Sequence, residues 1–480
     1  MISGLSRPSR ELPPGMKTAI HWFRRDLRLT DNTALVAAAK AAESVVPVYI
    51  RSTWSGAHRW TGPHRQEFLC GALTSLDRDL QSIGSRLITR RGEAAAELVK
   101  LVRESGAAAI FFNRDPDPFG RATEAHLATV ARELGVELHA FKDVCIHERD
   151  EVLTGKGEPF RVFTPYSSAW LKLAKPAPGG RLRVLRTSTD LAKGKLPELA
   201  DWKLESVGGI VESGERAARE RLTKFLKSSI GRYGGSRDLP AGDGTSRLSQ
   251  DLRYGLLSIR EVFARCSGKA AELPAVERGS LRAFIKELIW REFYMQVLWH
   301  FPWVLEREFN PKFQGMSWPG NEKHFVRWRD GETGFPIADA AMRQLAQTGF
   351  MPNRARMIAA MFLTKDLQLD WRLGESWFMQ QLTDGEIASN NGGWQWSAGT
   401  GADAAPYFRI QNPWTQTARY DDEGRYIRTW LPELRDVPVK NLLRPPDDGR
   451  AIAKGYPLPM VDHAAARERT LELFKKHQAA

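Results

Sequence analysis

Between Asp384 and Trp396 the chain reads DGEIASNNGGWQW, packing carboxylates, amides, glycines and indoles into one short stretch. Gly392 and Gly393 let backbone approach a ligand closely, Asn390 and Asn391 can meet a polar ring edge, and Trp394 and Trp396 offer flat π faces. This is chemistry suited to a planar, hydrogen-bonding ligand of flavin size. Asn-Asn-Gly-Gly is also a strong turn signal between helices, and read alone the turn is its commoner use.

Three further constellations carry chemistry. TSRLS (Thr245, Ser246, Arg247, Leu248, Ser249) places three hydroxyls before an apolar helical run ending at Gly255, where free N–H groups and the positive dipole end favour a diphosphate. An ordinary N-cap is the plainer use, as in the capping box of Ser258 and Glu261. In ELIWREFY, Glu287, Trp290, Arg291 and Tyr294 share one helical face, so a carboxylate and an indole could bind a base-like ligand. The plainer alternative is a surface ion pair of Glu287 with Arg291. MPNRARM puts Asn353, Arg354, Arg356 and Met357 on the first turns of a helix, where guanidinium groups could meet phosphate and an amide a base edge. Arginines are poorly placed for the dipole there, which weakens a purely structural use.

The elements that must position these groups fall into two classes. Over residues 19 to 141, AIHWF, VVPVYI, RLITR, AAIFFN and VELHAF read as strands alternating with amphipathic helical segments. Such a series predicts a parallel sheet covered by helices, with ligands outside the carboxyl ends of the strands. Neither loop RRDLRLTDN nor NRDPDPFGR is a phosphate fingerprint, and GTGADA (399 to 404) does not follow a strand. Residues 148–215 lose the period and are rich in Pro, Gly and Lys, predicting a long surface connection. From about Glu215 the pattern is helical. The expected organisation is a tail over 1–16, an α/β domain over 17–147, a linker over 148–215 and an all-helical domain over 216–480.

Bulk composition fits this plan. The 480 residues are 42% hydrophobic, enough for two cores, and 70 Lys and Arg against 57 Asp and Glu give a net charge of +13 that favours an anionic partner such as nucleic acid. Cys70, Cys145 and Cys266 lie far apart without metal-ligand spacing, so no metal site or disulfide framework is expected and a reducing cytoplasm fits. No run of eighteen apolar residues occurs, so no membrane span is expected. The first sixteen residues read as a frayed tail.

Taken together the motifs resemble the photolyase and cryptochrome family, specifically the class I cyclobutane pyrimidine dimer photolyases. The likeness runs from about residue 18 to about 437, through HWFRRDLRLTDNTAL, FRVFTPYSSAW, TSRLS, ELIWREFY, DGETGFPIADAAMRQL, NRARM, DGEIASNNGGWQW, DAAPYFRIQNP and WLPELRDVP. Several long motifs in one order outweigh the plainer reading of each alone.

The resemblance implies a Rossmann-like parallel α/β domain, a long linker and a helical domain holding FAD. Carried over by position, Tyr233, Thr245, Ser246, Arg247, Leu248 and Ser249 line the FAD diphosphate and ribose, and Phe284 and Arg291 also belong to the cofactor site. Arg356 and Asp384 pair beside the isoalloxazine, with Glu386 nearby and Asn390 facing N5. Glu287, Trp290, Asn353, Met357 and Trp396 line the lesion cavity, and Arg237, Arg354 and Arg409 lie near the DNA backbone. Trp394, Trp371 and Trp318 match the electron-relay tryptophans.

The implied activity is light-driven repair: excited, reduced FAD donates an electron to a flipped-out cyclobutane pyrimidine dimer in UV-damaged DNA, whose ring then opens. The family resembled flips its target base out of the duplex to reach it. The alternative is a cryptochrome-type blue-light photoreceptor without repair. Family members hold an antenna, 8-hydroxy-5-deazaflavin or methenyltetrahydrofolate, in the N-terminal domain. NRDPDPFGR is somewhat closer to the deazaflavin type, and the choice stays open. A monomer is expected. Phe284 and Phe350 stand where many members have Trp, Glu386 where Asp is common, and Pro352 where many have His.

Overall fold

The computed structural model describes residues 15–188, 190–446 and 449–479. All but the end of the expected N-terminal tail lies outside these residues, and Met16 opens the first strand. The strands are β1 (Met16–Phe23), β2 (Ala42–Arg51), β3 (Ile88–Arg91), β4 (Ala109–Asn113) and β5 (Glu137–Phe141), each at a predicted position. They form one parallel sheet of order β3-β2-β1-β4-β5. Intervening helices are α1 (Thr33–Ala41), α2 (Pro63–Gln81), α3 (Ala94–Ser105) and α4 (Pro118–Glu133). Parallel strands need such crossovers, and β4, whose AIFFN is buried throughout, has the continuous apolar character of a strand covered on both faces.

The predicted connection is more ordered than its composition implied. Within it α5 (Phe163–Lys172) buries Phe163, Tyr166 and Trp170, and the Trp170 indole donates to Glu292 at 2.6 Å. Further on the chain runs back along the α/β domain: the Val45 N–H donates to the Arg186 carbonyl and the Thr89 N–H to the Lys193 carbonyl, both at 2.8 Å. The latter contact covers β3, an edge strand whose unpaired groups would otherwise be open to pairing.

The helical domain follows: α6 (Glu215–Ser228), α7 (Tyr233–Ser236), α8 (Ser249–Arg253), α9 (Ile259–Lys269), α10 (Arg278–His300), α11 (Glu322–Asp330), α12 (Pro336–Thr348), α13 (Asn353–Met361), α14 (Trp371–Gln381), α15 (Ile387–Ala398), α16 (Pro413–Tyr420), α17 (Arg425–Trp430), α18 (Val439–Leu442) and α19 (His463–Ala479). The Asn-Asn-Gly-Gly run is helical, lying inside α15. Its glycines serve packing: a Cβ on Gly392 would sit 2.1 Å from the Tyr294 ring, so α10 and α15 meet at a distance only glycine permits. Likewise a Cβ on Gly374 of α14 would sit 2.0 Å from the Trp394 ring.

Candidate active site

The loop joining α14 to α15, residues 382–386, is the centre of the site. Asp384 is buried, and one of its carboxylate oxygens accepts from Arg356 of α13 at 2.8 Å. Burial alone would raise this carboxyl, but Arg356, the Ser249 hydroxyl and Arg65 hold it below the ordinary carboxylate range. Its other oxygen, Oδ1, is buried without a partner, as are Thr383 Oγ1 and Arg247 Nε. All three residues line one cleft with Gln250, Thr348, Gly349 and Phe350. Buried polar groups are normally hydrogen-bonded, so three unpartnered ones on one cleft match a polar ligand that would complete them. These residues therefore fit FAD.

The TSRLS segment borders this cleft. Arg247 adopts a left-handed backbone (φ 49°), Thr245 and Ser246 are half-buried, Leu248 is buried, and Ser249 opens α8 exposed. Tyr233 lies beside Phe284 (ring centroids 5.3 Å) and Phe225 (5.9 Å), and Phe284 is a buried core residue. On α15, Asn390 donates to the Glu375 carbonyl at 3.0 Å, while Asn391 donates to the Glu375 carboxylate at 2.8 Å. Burial pushes the Glu375 carboxyl up to about 7, against the Asn391 hydrogen bond and the charges of Arg59 and Arg372.

Glu386 and Arg291 turn elsewhere. Glu386 pairs with Arg25, from the loop after β1, and lies 3.5 Å from Arg291. Arg291 also donates to the Val144 carbonyl at 2.8 Å. Both stand at the junction of the domains, and neither lines the Asp384 cleft. The extra methylene of Glu over the common Asp belongs to a side chain that reaches across that junction.

On the lesion side, Glu287 pairs with Arg237 at 2.6 Å and not with Arg291, as one reading of the helical face allowed. Burial raises the Glu287 carboxyl above its ordinary value, with Arg237 opposing. Trp290 stacks face to face on Phe163 (3.7 Å, 4°), which joins FRVFTPYSSAW to ELIWREFY in space. Asn353 is exposed and contacts Met357 Sδ at 3.7 Å. Trp396 is half-buried. Of the arginines expected near DNA, Arg237 has Glu287 as partner, Arg354 has Asp238 at 3.0 Å, and Arg409 is exposed beside the exposed Phe408.

Trp394 and Trp371 are buried in one core cluster, against which the half-buried Trp318 packs. The Trp371 indole donates to Glu308 at 3.2 Å, and Trp318 lies edge-on to Phe474 (6.4 Å). Trp394 lies 6.0 Å from Trp328, an indole that motif reasoning did not single out. It also missed Arg25, Arg65 and Arg253. Arg25 sits in the quoted HWFRRDLRLTDNTAL motif, while nothing around Arg65 points to a site.

Fold and cleft together define a two-domain protein, α/β then helical, with a polar cleft at Asp384 in the helical half. Residues 19–191 match the DNA photolyase family, and residues 284–476 match the FAD binding domain of DNA photolyase. The chain is 39% identical over 478 residues to the deoxyribodipyrimidine photo-lyase of Agrobacterium fabrum, spanning 96% of this chain and 98% of that one. It is also 39% identical over 488 residues to the enzyme of that name from Escherichia coli, spanning 96% and 99%. The crystal structure of a bacterial class III photolyase from Agrobacterium tumefaciens aligns with a TM-score of 0.89 at 37% identity, covering 99% of this chain and 100% of that one. A Synechocystis cryptochrome aligns at 0.86 and 28% identity, covering 97% and 100%. The chain belongs to the photolyase and cryptochrome family. The motifs resemble class I and a near structural neighbour is class III, so the family is the level at which the two agree.

Proposed function

We propose that the Asp384–Arg356 pair with the TSRLS segment holds FAD, and that Glu287, Trp290, Asn353, Met357 and Trp396 receive the lesion. The activity is light-dependent DNA repair, splitting cyclobutane pyrimidine dimers into two pyrimidines. The observation that carries the residue assignment is the half-satisfied Asp384: one oxygen fixed by Arg356, the other buried and free on a polar cleft. Bound reduced FAD supplies, on absorbing blue light, the electron that opens the dimer.

The chain's own residues do the rest. Asp384 and Arg356 orient the cofactor edge, and Asn390, pinned to the Glu375 carbonyl, presents a fixed amide. Glu287, held by Arg237 at 2.6 Å, presents a carboxylate to accept a hydrogen bond at a pyrimidine edge. Trp290 and Trp396 supply apolar walls that exclude water and stack against the flipped dimer, which pairs and stacks badly in the duplex and so costs less to extrude. Trp394, Trp371 and Trp318 lead toward the surface as electron donors for photoreduction.

We place a light-harvesting chromophore at a second cleft, between the domains, lined by Arg114, His147, Gln296 and Trp299. Its Trp299 ring lies under Arg121 (3.7 Å) and Arg149 (4.4 Å), and buried Gln296 has both side-chain polar atoms unpartnered. Among the described residues no three His, Cys, Asp or Glu side chains group as a metal site, and no helix is long and apolar enough to cross a membrane. A cytoplasmic monomer acting on UV-damaged DNA is the reading we adopt. The deciding experiment illuminates a defined oligonucleotide carrying one thymine dimer with the purified, reduced holoenzyme. Loss of the dimer under blue light and not in the dark is expected; persistence of the dimer with FAD bound and reduced overturns the assignment.

A further inference from the structure

Five guanidinium groups from five different elements converge on the loop 382–386. Arg65 of α2 donates to the Leu382 carbonyl at 3.3 Å and to the Met379 carbonyl at 3.0 Å. Arg356 of α13 holds Asp384, and Arg253 of α8 donates to the Gly385 carbonyl at 3.0 Å. Arg25 pairs with Glu386, and Arg291 of α10 lies 3.5 Å from the same carboxylate. A Cβ on Gly385 would lie 1.6 Å from Arg65 Nη2, so glycine here is what admits that guanidinium. Two of the five, Arg25 and Arg65, come from the α/β domain, and both are buried.

We infer that Arg25 and Arg65 are positioning residues for the flavin site, through which the N-terminal domain sets the geometry and charge of the loop carrying Asp384. The inference rests on the reading that Asp384 holds FAD. Arg65 acts on carbonyls, so it fixes backbone; Arg25 acts on Glu386, two residues beyond Asp384, and so fixes the far side of the same turn. Both are more than a domain glue: every bond to the loop bears on where the Asp384 carboxylate points. Their positive charge also favours the anionic reduced state of a bound flavin over the neutral oxidised one.

Burial gives these bonds weight. Burial lowers the Arg65 guanidinium to about 10, with Arg253 adding to that effect and the Tyr254, Asp384 and Glu386 groups opposing. For Arg25 burial acts in the same direction but is outweighed by Glu386, Asp115 and Asp117, which hold it protonated. Glu386, which burial would raise, is held below the ordinary carboxylate range by Arg25, Arg253 and Arg291. A charged hydrogen bond of this kind contributes about 1.5–3 kcal/mol, so its loss should cost roughly ten- to hundredfold in cofactor retention.

The test uses the full-length holoenzyme and the variants Arg65→Met, Arg25→Met, Arg25→Lys and Glu386→Gln, with Asp384→Asn as the control for the underlying site. FAD release is followed by the rise in flavin fluorescence, the flavin midpoint potential is measured in protein that retains FAD, and thermal unfolding is measured on the apoprotein. The expected result is FAD release about tenfold faster or more in Arg65→Met and Arg25→Met, a flavin potential shifted to more negative values, an apoprotein that unfolds at a lower temperature because these bonds exist without the cofactor, and partial recovery of release and potential in Arg25→Lys. Wild-type release and potential in both Met variants, with Asp384→Asn losing FAD, overturn the inference alone. Faster release that only tracks a lowered apoprotein unfolding temperature, with the potential unmoved, also overturns it. FAD retained by Asp384→Asn overturns the site itself. Should Arg65→Met fail to fold, Arg25→Lys decides by the same readouts, and Glu386→Gln, which removes a negative charge, should move the potential to more positive values; an unmoved potential in both overturns the inference.

Discussion

The two sides of the site are built differently. On the flavin side, five arginines and two close glycine contacts fix the turn before α15 and the helix itself. On the lesion side, Glu287 leans on a single arginine, Asn353 is exposed with one weak sulfur contact, and Trp396 is half-buried. The first arrangement suits a cofactor that stays; the second suits a substrate that arrives, is handled and leaves. Preorganisation lowers the cost of binding and is worth building where the ligand is permanent, whereas a surface that opens to a flipped base needs side chains that are still free to move onto it.

The comparison can be broken at its strongest point. Asp384→Asn removes the charge that holds Arg356, and breaking such a pair costs about 3 kcal/mol or more, so FAD affinity should fall on the order of a hundredfold. FAD content after purification checks this, and a yellow, fully loaded variant would refute the clasp. Next comes Glu375, beneath Asn390 and Asn391. Its folded value of about 7 stands above the ordinary 4.5, so its contribution to stability is complete below 4.5 and is lost as pH rises through about 7. Glu375→Gln should therefore remove that part of the pH slope and gain up to about 3 kcal/mol at pH 8, read as denaturant midpoints from pH 4 to 9.

On the lesion side the effects should be smaller and confined to repair. Glu287→Gln should slow dimer splitting by about tenfold, the lower end of one charged hydrogen bond's worth because the amide can still hydrogen-bond, while FAD content stays at wild type. Loss of colour would mean that this carboxylate serves the cofactor. The smallest effect belongs to Arg409→Ala, which should weaken binding uniformly across DNA sequences and reduce the slope of log affinity against log salt by about one phosphate contact. An unchanged slope would remove Arg409 from the DNA face.

Much of this architecture is legible in the amino-acid sequence. The five strands, the helical nature of the second half and the helix opening at Asn353 follow from period and composition, because each depends on neighbours within a few residues. The helical path through Asn-Asn-Gly-Gly is not readable from local signals, since the reason for those glycines is the Tyr294 ring from another helix. Arg65 is invisible for the same reason: its partners Met379 and Leu382 lie more than 300 residues away. The pairing of Glu287 with Arg237, and not with Arg291 one turn along the same helix, is likewise decided by which group a separate element brings closer.

The return of the connecting chain along β3 bears on how the protein can be taken apart. A fragment cut at residue 147, where the α/β pattern ends in sequence, would leave Thr89 and Val45 without the carbonyls of Lys193 and Arg186 and would lay bare the outer edge of the sheet. One cut shortly after residue 195 would carry its own cover, close to where the DNA photolyase match itself ends at 191. In cloning terms, the first domain is a sheet together with the strap that follows it, and only the longer fragment should stay monodisperse.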